Sequence, residues 1–173
     1  MIAKKKGVRG VTHIIWTNEM TLAFDQVKSA ICNSVALSTI DATRPIYLNT
    51  DASNVGYGAI LYQLDDNNHK QICKILSGKF DATQCNWPTI EQEAFAIFKA
   101  ITKWRAFLLG SEFIVYTDHR NLTYILKHES KKILRWRLAL QEFSFLIYHI
   151  PGKDNTEADI LSRLFDKNKE LMT

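Results

Sequence analysis

Ile46-Tyr47-Leu48-Asn49-Thr50-Asp51-Ala52-Ser53-Asn54-Val55-Gly56-Tyr57-Gly58-Ala59-Ile60-Leu61-Tyr62-Gln63-Leu64 decides the fold of this chain. Arg44-Pro45 breaks the chain ahead of it, and Ile46 to Thr50 is a short β-rich run that Asp51 ends. Asn54 introduces a second strand, Val55 to Leu64, and the polar Asp65-Asp66-Asn67-Asn68 reads as a hairpin turn. Lys70 to Ser77 follows as a third strand. Three antiparallel strands joined by short turns are the simplest arrangement.

Downstream the period changes. Thr89 and Gln92 are spaced as a capping box, and Ile90, Ala94, Ile97, Ile101, Trp104 and Leu108 recur at intervals of three and four. That spacing predicts a long amphipathic helix, stopped at Gly110. Glu112 to Asp118 reads as a fourth strand, Asn121 to Lys127 and Lys131 to Phe143 as helical stretches, and Phe145 to Ile150 as a fifth strand. Pro151-Gly152 turns the chain, and Asn155 is placed to cap a last helix through Leu164. Upstream, Trp16 to about Leu37 is helix-like, and residues 1–15 form a basic arm with Lys4, Lys5, Lys6 and Arg9. The order predicts an α/β layer fold with a mixed sheet.

Four acids stand where an acid is awkward. Asp51 and Asp118 each end an apolar strand, while Glu93 and Asp159 each lie close to the apolar stripe of a helix. At 100° per residue Glu93 shares the face of residues 90, 94, 97, 101 and 104, and Glu91 lies about 200° away. A turn aspartate or a first-turn helix acid explains any one of them alone. Four together point to one shared site, because acids are seldom buried uncompensated and converging carboxylates repel unless protonated or bridged by cations. A site made only of carboxylate oxygens suits magnesium, and hence metal-assisted phosphoryl chemistry.

The bulk numbers set limits. With 173 residues, 46% hydrophobic and 23% charged, the chain fits one domain with a real core. Its net charge of +4 mildly favours a polyanionic partner. Cys32, Cys73 and Cys85 form no CxxC or Cys/His zinc pattern, and read as reduced thiols of an intracellular protein, cytoplasmic or nuclear. The N-terminus has no signal-peptide apolar region, and no apolar run approaches the roughly 20 residues of a membrane span, so no membrane partner is expected.

Read together, Thr50-Asp51-Ala52-Ser53 with Gly56-Tyr57-Gly58-Ala59, Glu91-Gln92-Glu93-Ala94, Thr117-Asp118-His119-Arg120-Asn121-Leu122, Arg135-Trp136, and Pro151-Gly152-Lys153 with Asn155 and Ala158-Asp159-Ile160-Leu161-Ser162-Arg163 resemble the RNase H domain of the reverse transcriptases of gypsy-type LTR retrotransposons and retrovirus-like elements. The resemblance covers about Trp16 to Arg163. It implies an RNase H-like fold with a five-stranded mixed sheet flanked by helices, in which residues 16–44 resemble the connection from the polymerase, 45–165 form the domain and 166–173 a tail. It implies hydrolysis of the RNA strand of an RNA–DNA hybrid, not of a small molecule, with the polymerase portion of the same polyprotein as partner. It also implies two magnesium ions, replaceable by manganese, about 4 Å apart. Asp51 would bridge both, Glu93 and Asp118 would complete one shell, and Asp159 would join the other, which activates water.

Grip on the substrate is expected from a basic helix carrying Lys131, Lys132, Arg135 and Arg137, for which a solvated helix face is the plain alternative. Ser53, Asn54, Gln84 and Asn121 are further candidates for nucleic-acid contact, while Trp136 is assigned to the core. Pro151 to Asn155 lacks the histidine that cellular RNase H enzymes carry there, and no polymerase Tyr-x-Asp-Asp motif is present. Two other readings remain: a catalytically silent RNase H-fold remnant serving as a nucleic-acid-binding or structural module, and an integrase-type transesterase. The second is disfavoured by the last-helix sequence.

Overall fold

The computed structural model describes residues 20–22, 37–120 and 130–166. The chain divides into two units, residues 1–36 and 37–173. Of the first, Met20-Thr21-Leu22 is helical. The basic arm, residues 16–19 and 23–36 of the expected Trp16–Leu37 helix, the helical stretch expected over 121–127, and Asn121 lie outside the described residues, while Leu37 itself is not helical.

The second unit is built on five strands: β1 (Ile46–Ala52), β2 (Gly56–Leu64), β3 (Lys70–Lys79), β4 (Glu112–Thr117) and β5 (Ser144–His149). Their order across the sheet is β3-β2-β1-β4-β5. β1 pairs antiparallel with β2, and β2 with β3, as the short connections require. β4 runs parallel to both β1 and β5, so the sheet is mixed. The Asp65 carboxylate closes the β2–β3 turn by accepting from the Asn67 and His69 amides, and Asn68 takes φ +62°.

Alternation sorts β2 between two helical layers. Ala59 and Leu61 join Ile46, Leu48, Phe113 and Val115 in the core under α1 (Thr89–Lys103), together with Ala94, Ile97, Ile101 and Trp104. Each fully buried Leu or Ile there contributes about 1.5–3 kcal/mol. Gly56 and Gly58 point the other way, against α4 (Thr156–Ser162). A Cβ on Gly58 would come within 2.5 Å of the Ala158 carbonyl oxygen and 2.6 Å of Leu161 Cβ, so α4 lies directly on the backbone of β2. The Ser77 hydroxyl on β3 donates to Leu161 O at 2.7 Å, and Lys70 pairs with Glu157, which fixes both ends of α4.

Several helix ends differ from the sequence expectation. Pro88 is the residue before α1, and no side chain caps the helix. The expected Thr89–Gln92 capping box does not form, because Gln92 is buried and donates instead to the carbonyls of Gln84 and Cys85. α1 ends at Lys103, and a single further turn, α2 (Arg105–Leu108), carries Leu108 into the core before Gly110 at φ +83°. α3 (Lys131–Ala139) stops short of Phe143. A turn follows in which the Phe143 amide donates to Leu140 O, and both side chains stay buried. The apolar spacing therefore continues past the helix itself. α3 leans on α1 through Trp136, whose ring lies 5.6–5.9 Å from Phe95, Phe98 and Trp87, in keeping with its assignment to the core. Glu91 holds the same junction, accepting from the Ser130 hydroxyl at 2.6 Å and pairing with Lys132 at 2.7 Å. Among the described residues no helix is long and apolar enough to cross a membrane.

Candidate metal centre

β1 and β4 are parallel neighbours with Asn49 opposite Tyr116. Continuing that register by two residues sets Asp51 beside Asp118 at the carboxyl ends of adjacent strands, where open α/β sheets bind their ligands. α1 crosses this end and delivers Glu93, whose Oε1 accepts the Ala52 amide at 3.2 Å. One carboxylate oxygen from each of Asp51, Glu93 and Asp118 lies within 4.8 Å of the other two. Asp51 and Glu93 are each only 4% exposed, and Asp118 is half-buried.

Such crowding is electrostatically costly without a cation. Burial pushes the Asp51 carboxyl up to about 6 from 3.8; the Ser162 hydroxyl opposes this, Asp118 and Asp159 add to it, and Arg163 opposes it. Glu93 is raised well above its ordinary value, first by burial and then by Asp51 and Asp118. Asp51 Oδ2 and Glu93 Oε2 are buried and accept no hydrogen bond from the described residues. Buried oxygens without donors, in a set of oxygens alone, are what a hard divalent cation requires. The residues present therefore fit a hard divalent cation.

Asp159 stands apart from this trio. Its Oδ1 accepts from Arg163 Nε at 2.5 Å, and both side chains are partly exposed. The helix that carries it is anchored at its start by Asn155, which is 1% exposed and donates from Nδ2 to Thr50 O at 2.9 Å, next to Asp51. Asn155 was expected to cap α4 through its side chain; it makes no such bond, and its amide braces α4 against β1 instead. Ahead of it the Pro151-Gly152 turn passes Asp118, since a Cβ at position 152 would lie 3.2 Å from Asp118 Oδ2. The brace that Asn155 provides and the passage of Gly152 beside Asp118 are not legible from residue spacing, although both residues lie in the stretch that carries the family resemblance.

The other sequence candidates are scattered. The Ser53 hydroxyl donates to Ser162 O at 2.7 Å and accepts from the Val55 and Gly56 amides, which commits it to the turn and to α4. Asn54 beside it is exposed. Gln84 is half-buried, and its Oε1 accepts the Asp81 amide. On α3, Lys131 and Arg135 are exposed, Arg137 is half-buried, and Lys132 lies 4.2 Å over the Trp87 ring while paired with Glu91. His119 donates its amide to Thr117 Oγ1.

Residues 41–143 match the family described as the RNase H-like domain found in reverse transcriptase. The Tf2-3 transposon polyprotein of Schizosaccharomyces pombe is 35% identical over 162 residues, which is 90% of this chain and 12% of that polyprotein. Among solved structures, the foamy viral protease-reverse transcriptase in complex with RNA/DNA hybrid is similar with a TM-score of 0.56 at 21% identity, covering 79% of this chain and 19% of that one. LC11-RNase H1, isolated from compost, gives a TM-score of 0.52 at 19% identity, covering 68% of this chain and 92% of that one.

Proposed function

This chain belongs to the family of RNase H-like domains found in reverse transcriptase, and we propose on that premise that it cleaves the RNA strand of an RNA–DNA hybrid as one part of a retroelement polyprotein. The observation that carries this reading is the convergence of Asp51, Glu93 and Asp118 with two buried oxygens that no donor satisfies. Magnesium is the ion we assign, held by these three residues, with Asp159 as the further ligand.

When bound, divalent cations lower the proton affinity of water and stabilise charge on the attacking and leaving oxygens of a phosphodiester. The chain's own residues supply position. The Ala52 amide fixes Glu93 Oε1, the parallel register fixes Asp51 against Asp118, and the Asn155 brace sets α4 and with it Asp159. The carboxyl ends of β1 and β4 are bordered by the exposed Asn54 and by the Pro151-Gly152 turn, and the substrate we assign to them is a polyanion. Lys131 and Arg135 are the exposed cations we assign to phosphate contacts. Lys132 is the weakest candidate of its group, being held by Glu91. Selectivity for RNA would rest on 2′-hydroxyl contacts.

The test is cleavage of a hybrid labelled separately on each strand, in magnesium, in manganese and in chelator, with Asp51→Asn alongside. Metal-dependent cutting of the RNA strand alone, lost in Asp51→Asn, is the expected result. Equal cutting by the variant would remove Asp51 from the chemistry. A folded chain that binds metal but never cuts would favour a silent, structural module.

A further inference from the structure

The metal-site reading leaves Arg163 without a part, yet its placement is specific. It follows the last turn of α4, and Asn155, Asp159 and Arg163 recur at intervals of four, one above another on a single helix face. That face is the one tied to Thr50 O beside Asp51. The charges that act on Arg163 are those of Asp159, Asp51 and Asp166, all negative. The fourth acid is thus paired with a cation that the chain itself provides, on the side of the carboxylate group where Asp51 feels both charges.

We propose that Arg163 is a built-in counter-cation for Asp159, which neutralises this carboxylate in the metal-free protein and is displaced from it when a divalent cation binds. The proposal rests on the reading of the carboxylates as a metal site. Arginine keeps its charge at any relevant pH, so it cannot yield by losing a proton and has to move. The pair is about 40% exposed on both sides, and exposed pairs of this kind shift an equilibrium by no more than about fivefold. A divalent ion offers twice the charge and direct bonds to oxygen, so it wins this competition. Two consequences follow. The trio of Asp51, Glu93 and Asp118 takes a cation first and Asp159 takes part in a weaker, second step. Once released, the guanidinium presents its donors beside the site, as a group that can face phosphate oxygens.

The experiment is magnesium binding to the whole chain without nucleic acid, by calorimetry, for the parent, Arg163→Gln, Arg163→Lys and Asp51→Asn. The arginine Nε–H resonance that disappears in Arg163→Gln is followed alongside it. We expect Arg163→Gln to tighten the weaker step about two- to fivefold, Arg163→Lys to stay near the parent, and the Arg163 resonance to move as magnesium saturates. If magnesium binds and is lost in Asp51→Asn while that resonance stays put, or if Arg163→Gln binds no more tightly, the arginine is only a helix staple and the proposal is overturned. Absence of magnesium binding in the parent, or binding indifferent to Asp51→Asn, overturns the metal-site reading and this proposal with it.

Discussion

At Asp51 the metal-free fold works against its own side chain. A carboxyl whose value rises from 3.8 to about 6 binds its proton more tightly folded than unfolded. Its contribution is therefore fully present below about pH 3.8 and is lost as pH rises to about 6, leaving the protein destabilised at neutral pH by up to about 3 kcal/mol. Asp51→Asn removes that cost. In chelator at pH 7 the variant is expected to melt several degrees above the parent, and the gap is expected to close as the pH falls from 6 towards 4. A gap that does not depend on pH would mean that charge is not its cause. The four acids stood out only as a set, since a strand-end turn or a first helical turn accounts for each alone; the fold brings Asp51, Glu93 and Asp118 together and leaves Asp159 paired with Arg163. The partners of those acids were not legible. An amide four residues ahead of Asp159 reads equally well as a helix cap, and only the fold turns Asn155 towards Thr50 O. The Arg163 pair is visible as an i,i+4 spacing, but nothing local says that it competes with a metal.

Among the elements, α4 and its contact with β2 matter most, since they place Asp159. Gly58 permits the contact by having no side chain where Ala158 O and Leu161 Cβ lie. Gly58→Ala should force the helix away and cost about 1–3 kcal/mol, read as a lower urea midpoint at unchanged m-value. An unaltered midpoint would show that α4 does not rest on the β2 backbone. The strands were readable from β-rich runs and turn residues, whereas the close approach of α4 at Gly58 emerges only from the fold. Helix ends were less readable. The Thr89–Gln92 box failed because Gln92 is better satisfied by the Gln84 and Cys85 carbonyls, and the last turn of α3 was overextended because Leu140 and Phe143 remain in the core beyond it. Lys132 looked like one more surface cation until the fold set Glu91 and Trp87 beside it.

For the molecule as a whole, two long-range facts make the site: β1 and β4 are adjacent and parallel, and α1 crosses their carboxyl ends. Neither follows from periodicity, since partners such as Ile46 and Phe113 are far apart in the chain and leave no local trace; the family resemblance implied a five-stranded mixed sheet but not this adjacency. We propose that the trio of Asp51, Glu93 and Asp118 serves to hold a divalent cation, which offsets the mutual repulsion of its carboxylates. Ligands that bind only the folded state stabilise it. The most direct test is the melting temperature of the parent and of Asp51→Asn, each in chelator and in saturating magnesium at pH 7. The expected result is a reversal: the variant above the parent in chelator, and the parent alone raised by magnesium. Parent and variant responding equally to magnesium, or neither responding, would contradict it.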